Sequence, residues 1–455
     1  MKKIVIIGAG PGGYPAALKA RESGAEVVLV EKKYAGGVCL NCGCIPSKSY
    51  LDAAHRFSIV KELKKLVADS AASDCDKLAA SFDWAKIQTR RAGVLEKFRT
   101  SLKKTFEAKG IRYIEGTASF VSDTEISIAT ATGEVREKFD NAIIAVGTKA
   151  FLPPAFAAVK DSLLDNESVF GLEHMPASIA VIGAGAIGVE FSCVFNALGS
   201  RVELIEMQPT VLPGEDEAVC RLLQGSFQKR GVHLHLGKGV ASVSVEGSIK
   251  KVIFQDGTSV EAEAVLVAAG RVAALDELKP ENAGIAWNRK GIKVDEFLRT
   301  EKKHIYAIGD VNGLSLLAHA ATAQGEAAAA HIAGEDCKYD NTLIPRCIYS
   351  WPEVACVGMS KKQAEAAGIA VKTQRSFLLA CGRALAQDET EGFVQIVSDS
   401  ATGRILGAQL AGAYATEIIH SLAVAITAQM TVKQLRHVVF AHPTVSEMVH
   451  DALGK

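Results

Sequence analysis

A glycine-rich turn between an apolar run and a helical run occurs twice in this chain, with matching spacing. The first copy reads KKIVIIGAGPGGYPAALKARESGAEVVLVEKK. A β-branched apolar run leads into Gly8-x-Gly10-x-x-Gly13, an alanine-rich helical stretch follows, and a second apolar run ends at Glu31. The second copy reads ASIAVIGAGAIGVEFSCVFNALGSRVELIE, with Gly183, Gly185, Gly188 and Glu206 in the same places. The first glycine and the acid are 23 residues apart in both copies (31 − 8 and 206 − 183). In such a unit the glycines allow a tight turn, close approach of backbone to a pyrophosphate, and tight helix–strand packing. The helix N-terminus turns unpaired N–H groups and a positive dipole end toward the phosphates, and the acid accepts hydrogen bonds from ribose hydroxyls. Two bound dinucleotides are therefore expected, on two Rossmann-like domains; the competing reading of the second copy is a non-binding relic. Glu206 would repel the extra phosphate of NADP, and Met207-Gln208-Pro209 supply no arginine to receive it, so NAD is the expected ligand there.

The remaining chain divides around these copies. FDNAIIAVGTKAFLPP closes the first unit with an apolar strand, Gly147-Thr148 and a proline-rich crossing. AEAVLVAAGRV closes the second at Gly270-Arg271, and KHIYAIGDVNG places Asp310 after a further strand. From about Pro345, short alternating runs such as GFVQIVSD and RILGAQLAG read as antiparallel strands. Helical patterns follow near Ala415 to Gln429 and Val432 to Val438, and Val60 to Lys109 reads as a solvated amphipathic helix pair. At 455 residues the chain is too long for one core. Its 51 basic and 51 acidic residues balance, which argues against a nucleic acid or an anionic membrane as partner over the whole surface. The opening apolar run passes directly into the glycine motif, so it does not read as a signal peptide. With no long apolar run elsewhere, the expected location is the cytoplasm.

Ten cysteines in such a chain do not make a disulfide scaffold. Seven are scattered and read as small buried hydrophobes. The other three crowd into GGVCLNCGCIPSK as Cys39, Cys42 and Cys44. The residues alone leave three pairings open, and Cys39-x-x-Cys42 has the spacing of thioredoxin-like centres. A zinc site would need four ligands, and no second close cysteine pair supplies them. The cytosol reduces structural disulfides, so a bridge here is expected to be catalytic and cycling.

Taken in order, GAGPGG, GGVCLNCGCIPSK, AVGT, GAGAIGVE, YAIGD, LAHAA and AHPTVSE make the chain resemble the pyridine-nucleotide disulfide oxidoreductases almost end to end, and within them the enzymes that reoxidise dihydrolipoamide. The resemblance implies an α/β fold of two Rossmann-like dinucleotide-binding domains plus a C-terminal α+β dimerisation domain. The implied boundaries are 1–148 for FAD, 149–272 for NAD, 273–344 for a central domain completing the FAD site, and 345–455 for the interface. It implies FAD at Gly8, Gly10, Gly13, Glu31, Lys48, Gly116, Gly147, Thr148, Asp310, Leu317, Ala318, His319 and Ala320. NAD would lie at Gly183, Gly185, Gly188, Glu206 and Gly270. His319 is either a flavin contact or a helix cap, and Ala186 stands where glutathione reductases place a tyrosine lid.

The family's redox pair is four residues apart, which implies Cys39 and Cys44 and leaves Cys42 where a small apolar residue is usual. Cys39 would be the interchange thiol and Cys44 the flavin-side thiol. Lys48, paired with Glu190, would lie near the flavin, and His442, oriented by Glu447, would be the base. In the family that histidine comes from the other subunit of a homodimer. The implied partner is a lipoyl-bearing protein of a 2-oxo acid dehydrogenase complex or a glycine cleavage system. Two alternatives stand beside this. One is an NAD(P)H-dependent reductase of another small disulfide. The arginines expected of a glutathione reductase and the C-terminal vicinal cysteines of a mercuric reductase are both missing, so neither of those is favoured. The other, of a different class, is a non-catalytic flavoprotein scaffold.

Overall fold

A computed structural model describes residues 1–454. The first glycine unit forms a five-stranded parallel sheet in the order Ile305–Ala307, Asn141–Ile144, Lys3–Ile7, Glu26–Glu31, Arg112–Glu115. The second forms a four-stranded parallel sheet in the order His233–Leu236, Arg201–Glu206, Ser178–Ile182, Ala264–Val267. The central strands are β-branched and buried on both faces, as parallel strands covered by other layers must be. The repeat extends beyond the glycine turns. Each unit carries a three-stranded antiparallel meander, 117–138 in the first and 240–262 in the second, packed against its own sheet.

The two units exchange chain through a small ribbon in which Thr148–Ala150 pairs with Arg271–Ala273. The segment after the ribbon returns to the first unit, where Ile305–Ala307 becomes an edge strand of the first sheet. The helix Ala318–Ala333 then lies across the first glycine helix, Gly13–Glu22. Contact is close because both surfaces are small: a Cβ on Gly325 would sit 2.3 Å from the Gly12 carbonyl oxygen. Thr322 adds a hydrogen bond from its hydroxyl to the Pro11 carbonyl at 2.9 Å.

From Arg346 onward the chain builds a five-stranded antiparallel sheet in the order Arg346–Ile348, Val354–Gly358, Ile405–Ala411, Phe393–Asp399, Val371–Phe377. Helices Ala415–Thr427 and Glu447–Leu453 cover one face. The other face adds Phe393, Ala411, Val354 and Cys356 to a core shared with both dinucleotide units. This explains why GFVQIVSD is buried almost throughout rather than half solvated. Its polar Gln395 faces inward and donates to Gln409 at 2.9 Å.

The expected helix pair over Val60 to Lys109 is corrected. The helix Cys44–Glu62 ends in two short 3₁₀ turns, a separate helix Ala72–Ala80 follows, and a long helix runs from Trp84 to Ala108. Asp83 is the punctuation that periodicity did not show: its carboxylate accepts from the Lys86 N–H and starts the long helix afresh.

Candidate active site

The two glycine turns are built alike to fine detail. Gly8 has φ +104° and Gly183 has φ +106°, conformations that an L side chain rarely adopts. A Cβ on Gly13 or Gly188 would strike the carbonyl of the first glycine of its own loop at 1.8 or 1.9 Å. The acids match as well. Glu31 accepts from Ala9 N–H and Lys33 N–H, each at 2.8 Å. Glu206 accepts from Ala184 N–H at 2.8 Å and Gln208 N–H at 2.9 Å. Each carboxylate therefore braces its own glycine loop at the mouth of its sheet. The middle glycines differ: Gly10 lies against Gly37, whereas Gly185 faces open space. Ala186 follows it and is exposed.

Gly36 and Gly37, both with positive φ, carry the chain over the first glycine loop into the helix Gly37–Cys42. Gly43 breaks that helix, and a second helix starts at Cys44. The break turns Cys39 and Cys44 toward each other, and their thiols hydrogen-bond. The pair is polarised. The hydrogen bond from Cys39, helped by the Lys48 ammonium, outweighs burial and nearby Glu190 and lowers the Cys44 thiol to about 7. Its place at a helix N-terminus acts in the same sense. Cys39 moves the other way: its bond to Cys44, then burial, hold it protonated. Cys42 faces elsewhere. Burial and the Glu167 carboxylate push it up to about 12, and it packs against the shared core. All three are free thiols here; Cys39 and Cys44 act on each other, whereas Cys42 is influenced chiefly by Glu167 and by burial.

Lys48 lies one turn after Cys44 on the same helix face. Its Nζ donates to both oxygens of Glu190, at 3.0 and 2.8 Å, and Glu190 is buried on the helix Ala186–Ala197 of the second unit. Tyr349, just past the strand Arg346–Ile348, completes this point. Its ring centroid lies 4.4 Å from Lys48 Nζ, and its backbone N–H donates to Glu190 Oε1 at 3.1 Å. All three units thus meet at the ammonium.

At the crossing ribbon, the Thr148 hydroxyl donates to Asp310 at 2.7 Å, and Arg271 donates to the Thr148 hydroxyl and carbonyl at 2.7 Å each and to Asn166 at 2.8 Å. Burial raises the Asp310 carboxyl. Gln324 ties the Gly309 and Asn312 turn together through one oxygen, accepting at 2.7 Å from each. Gly147 and Gly270 both take positive φ where the chain leaves its sheets. Leu317 and Ala318 open the long helix, and Ala320 is buried within it. His319 Nε2 lies 2.7 Å from the Pro345 carbonyl and so ties that helix to the start of the C-terminal unit. Gly116 packs tightly against Ala129, and its N–H donates to the Glu31 carbonyl at 2.9 Å.

His442 and Glu447 also come together. His442 Nδ1 is 2.9 Å from Glu447 Oε1, and the Thr444 N–H donates to Glu447 Oε2 at 2.8 Å. The Thr444 N–H, with His442, holds the Glu447 carboxyl below its usual range. The imidazole is 79% exposed on its own chain. Among the described residues, no hydrogen bond joins His442 or Glu447 to Cys39, Cys44 or Lys48. Tyr349, Arg271 and Gln324 join these clusters, and sequence reasoning did not single them out as site residues. Arg271 was the most visible, as a charge directly after a strand and a glycine.

The family model for pyridine nucleotide-disulphide oxidoreductases matches residues 2–325. The chain belongs to this family. The family's dimerisation domain matches residues 344–453. The chain is 36% identical over 453 residues to the dihydrolipoyl dehydrogenase of Bacillus subtilis, covering 99% of this chain and 97% of that protein. It is 34% identical to that of Haloferax volcanii over 459 residues, covering 99% and 95%. Among solved structures, LpdA from Mycobacterium tuberculosis superposes with a TM-score of 0.93 at 27% identity, covering 100% of this chain and 99% of that one. The HOCl-induced flavoprotein disulfide reductase RclA from Escherichia coli superposes at 0.88 and 26%, covering 99% of each. This family of oxidoreductases uses FAD and NAD, and the two glycine turns fit such ligands: each is held tight at positions where a Cβ would strike backbone, and in the second the middle glycine, Gly185, faces open space. No helix among the described residues is long and apolar enough to cross a membrane.

Proposed function

We propose that this protein oxidises dihydrolipoamide with NAD, in the cytoplasm, as a homodimer serving a lipoyl-bearing protein. The observation that carries the reading is the polarised Cys39–Cys44 pair beside the Lys48–Glu190 ion pair. Gly8, Gly10, Gly13, Glu31, Thr148 and Asp310 would hold FAD, and Gly183, Gly185, Gly188, Glu206 and Gly270 would hold NAD. When bound, FAD would supply the two-electron acceptor that links the reduced cysteines to hydride transfer onto NAD.

The chain's own residues do the thiol chemistry. One substrate thiol loses its proton to His442 of the second copy, whose ring Glu447 orients. The thiolate attacks Cys39 Sγ of the Cys39–Cys44 disulfide, a new S–S bond forms to Cys39, and Cys44 leaves as thiolate. The second substrate thiol then attacks the substrate's own sulfur in the mixed disulfide, which closes the lipoyl ring, breaks the bond to Cys39 and passes the attacking thiol's proton to Cys39, released as a thiol. Two sulfurs of substrate are oxidised and two of the enzyme reduced. The leaving group is well matched to its site, because Cys44 is the thiol held low. The Lys48 charge stabilises that thiolate, and in this reading a neighbouring chain brings the exposed His442 to Cys39.

The likeness to RclA favours one second reading, a reductase running the same machinery toward another disulfide. Steady-state turnover decides. Oxidation of dihydrolipoamide with NAD, much faster than with NADP, supports the proposal. No turnover of dihydrolipoamide, with rapid NADH-dependent reduction of another disulfide, would replace it.

A further inference from the structure

Tyr349 touches both partners of the ion pair that faces the redox cysteines, yet it lies in the C-terminal unit and on none of the glycine cradles. The Lys48 side chain is long and flexible, 32% exposed, and Glu190 anchors its end to the second unit. The Tyr349 ring gives the ammonium a second, directional partner 4.4 Å away, since a ring face carries partial negative charge. The Tyr349 N–H at the same time takes up part of the Glu190 charge. That leaves more of the lysine's charge for the sulfur.

We propose that Tyr349 is a positioning residue for the redox centre, its ring and backbone N–H together holding the Lys48–Glu190 pair so that the ammonium stays beside Cys44. The inference rests on the Cys39–Cys44 reading above and deepens it. The ring acts as a neutral face and not as a phenolate, because burial, then the neighbouring Cys347 and Glu190, push its hydroxyl up to about 12. The other charged or titratable groups around this point are Cys39 and Cys44, with Tyr14 near Cys39, on the first unit; Glu190 on the second; and Cys347, Glu353 and Glu417 on the C-terminal unit. None of the C-terminal groups is a cation that could replace Lys48.

The test uses the FAD-loaded enzyme, reduced anaerobically by two electrons, with the long-wavelength absorbance of a thiolate beside flavin followed against pH. Tyr349→Phe keeps the ring and is expected to titrate like the wild type. Tyr349→Met keeps volume but removes the ring face; its midpoint should rise by about one pH unit, a roughly tenfold loss of thiolate at fixed pH below it. Phenylalanines of increasing ring fluorination at position 349 preserve shape while draining the ring face, so they should give a graded rise. That series decides the matter should Tyr349→Met fail to hold FAD. A midpoint that does not move in either series, whatever happens to turnover, would overturn the inference and leave Tyr349 a packing residue. A wild-type enzyme with no such absorbance at any pH would instead overturn the Cys39–Cys44 assignment itself, and this inference with it.

Discussion

Cys39 and Cys44 share a hydrogen bond but not an environment. One starts a helix beside an ammonium, and the other is the sulfur that, in the proposed reaction, meets the thiolate freed by His442. The difference makes His442 the residue whose loss should hurt the substrate half-reaction most. His442→Gln is expected to lower kcat for dihydrolipoamide by about 10²–10⁴-fold, the range of a lost general base. Reduction of the flavin by NADH should stay near normal, and stopped-flow absorbance separates the two halves. Glu447→Gln keeps one hydrogen-bonding oxygen and should cost less. At this scale the sequence was legible only in part. Spacing could not choose between Cys42 and Cys44 as partner of Cys39. The feature that favours Cys44 is the break at Gly43, which ends one helix and starts another and is visible only once the backbone is folded. Tyr349 was invisible for a related reason: its role arises from a contact across three units, with no periodicity or spacing to announce it.

Among the elements, the glycine turns were the most legible, because φ near +105° and a carbonyl in the way of any Cβ leave glycine little competition. Gly8→Ala would bring a Cβ to 2.3 Å from the Ala145 carbonyl oxygen. It is expected to yield protein that has lost most of its FAD, measured as the flavin-to-protein absorbance ratio. The strands hold a second test. Glu137, buried at the end of a meander strand, receives Lys3 at 2.7 Å and Arg112 at 2.5 Å. Burial pushes its carboxyl up, but those two cations outweigh burial and hold it below the usual range. Its folded state therefore favours the ionised form. The stabilisation is complete above the unfolded carboxylate pKa of about 4.3 and is lost as pH falls through the depressed value. Glu137→Gln should lower the melting temperature by several degrees at neutral pH, and the gap to wild type should close under strongly acidic conditions. The stretch from Val60 to Lys109 was the least legible. Its apolar period ran on through two breaks, and only the Asp83 cap marks where the long helix starts again.

For the whole molecule, the central question is whether one chain makes a complete site. The C-terminal sheet fastens to both dinucleotide units through a shared core, yet it leaves His442 exposed with its carboxylate partner already in place. If the base crosses to a second copy, two inactive variants should complement each other. Mixing Cys39→Ser and His442→Gln chains under conditions that exchange subunits should restore about a quarter of wild-type turnover, since half of randomly paired dimers then carry one intact site of two. No recovery despite proven exchange would place both residues in the same site of one chain. This scale was legible only through the family resemblance, because exposure of a histidine has no signature in its neighbours along the chain.

The account stands on Cys39 and Cys44 cycling as a pair with Cys42 outside it, and differential alkylation reads that directly. The oxidised enzyme is denatured and blocked with one maleimide, then reduced and labelled with an isotopically heavy one, and the peptide spanning residues 34–48 is sequenced by mass spectrometry. The heavy label is expected on Cys39 and Cys44 and the light label on Cys42. Heavy label on Cys42, or light label on all three, would contradict the account.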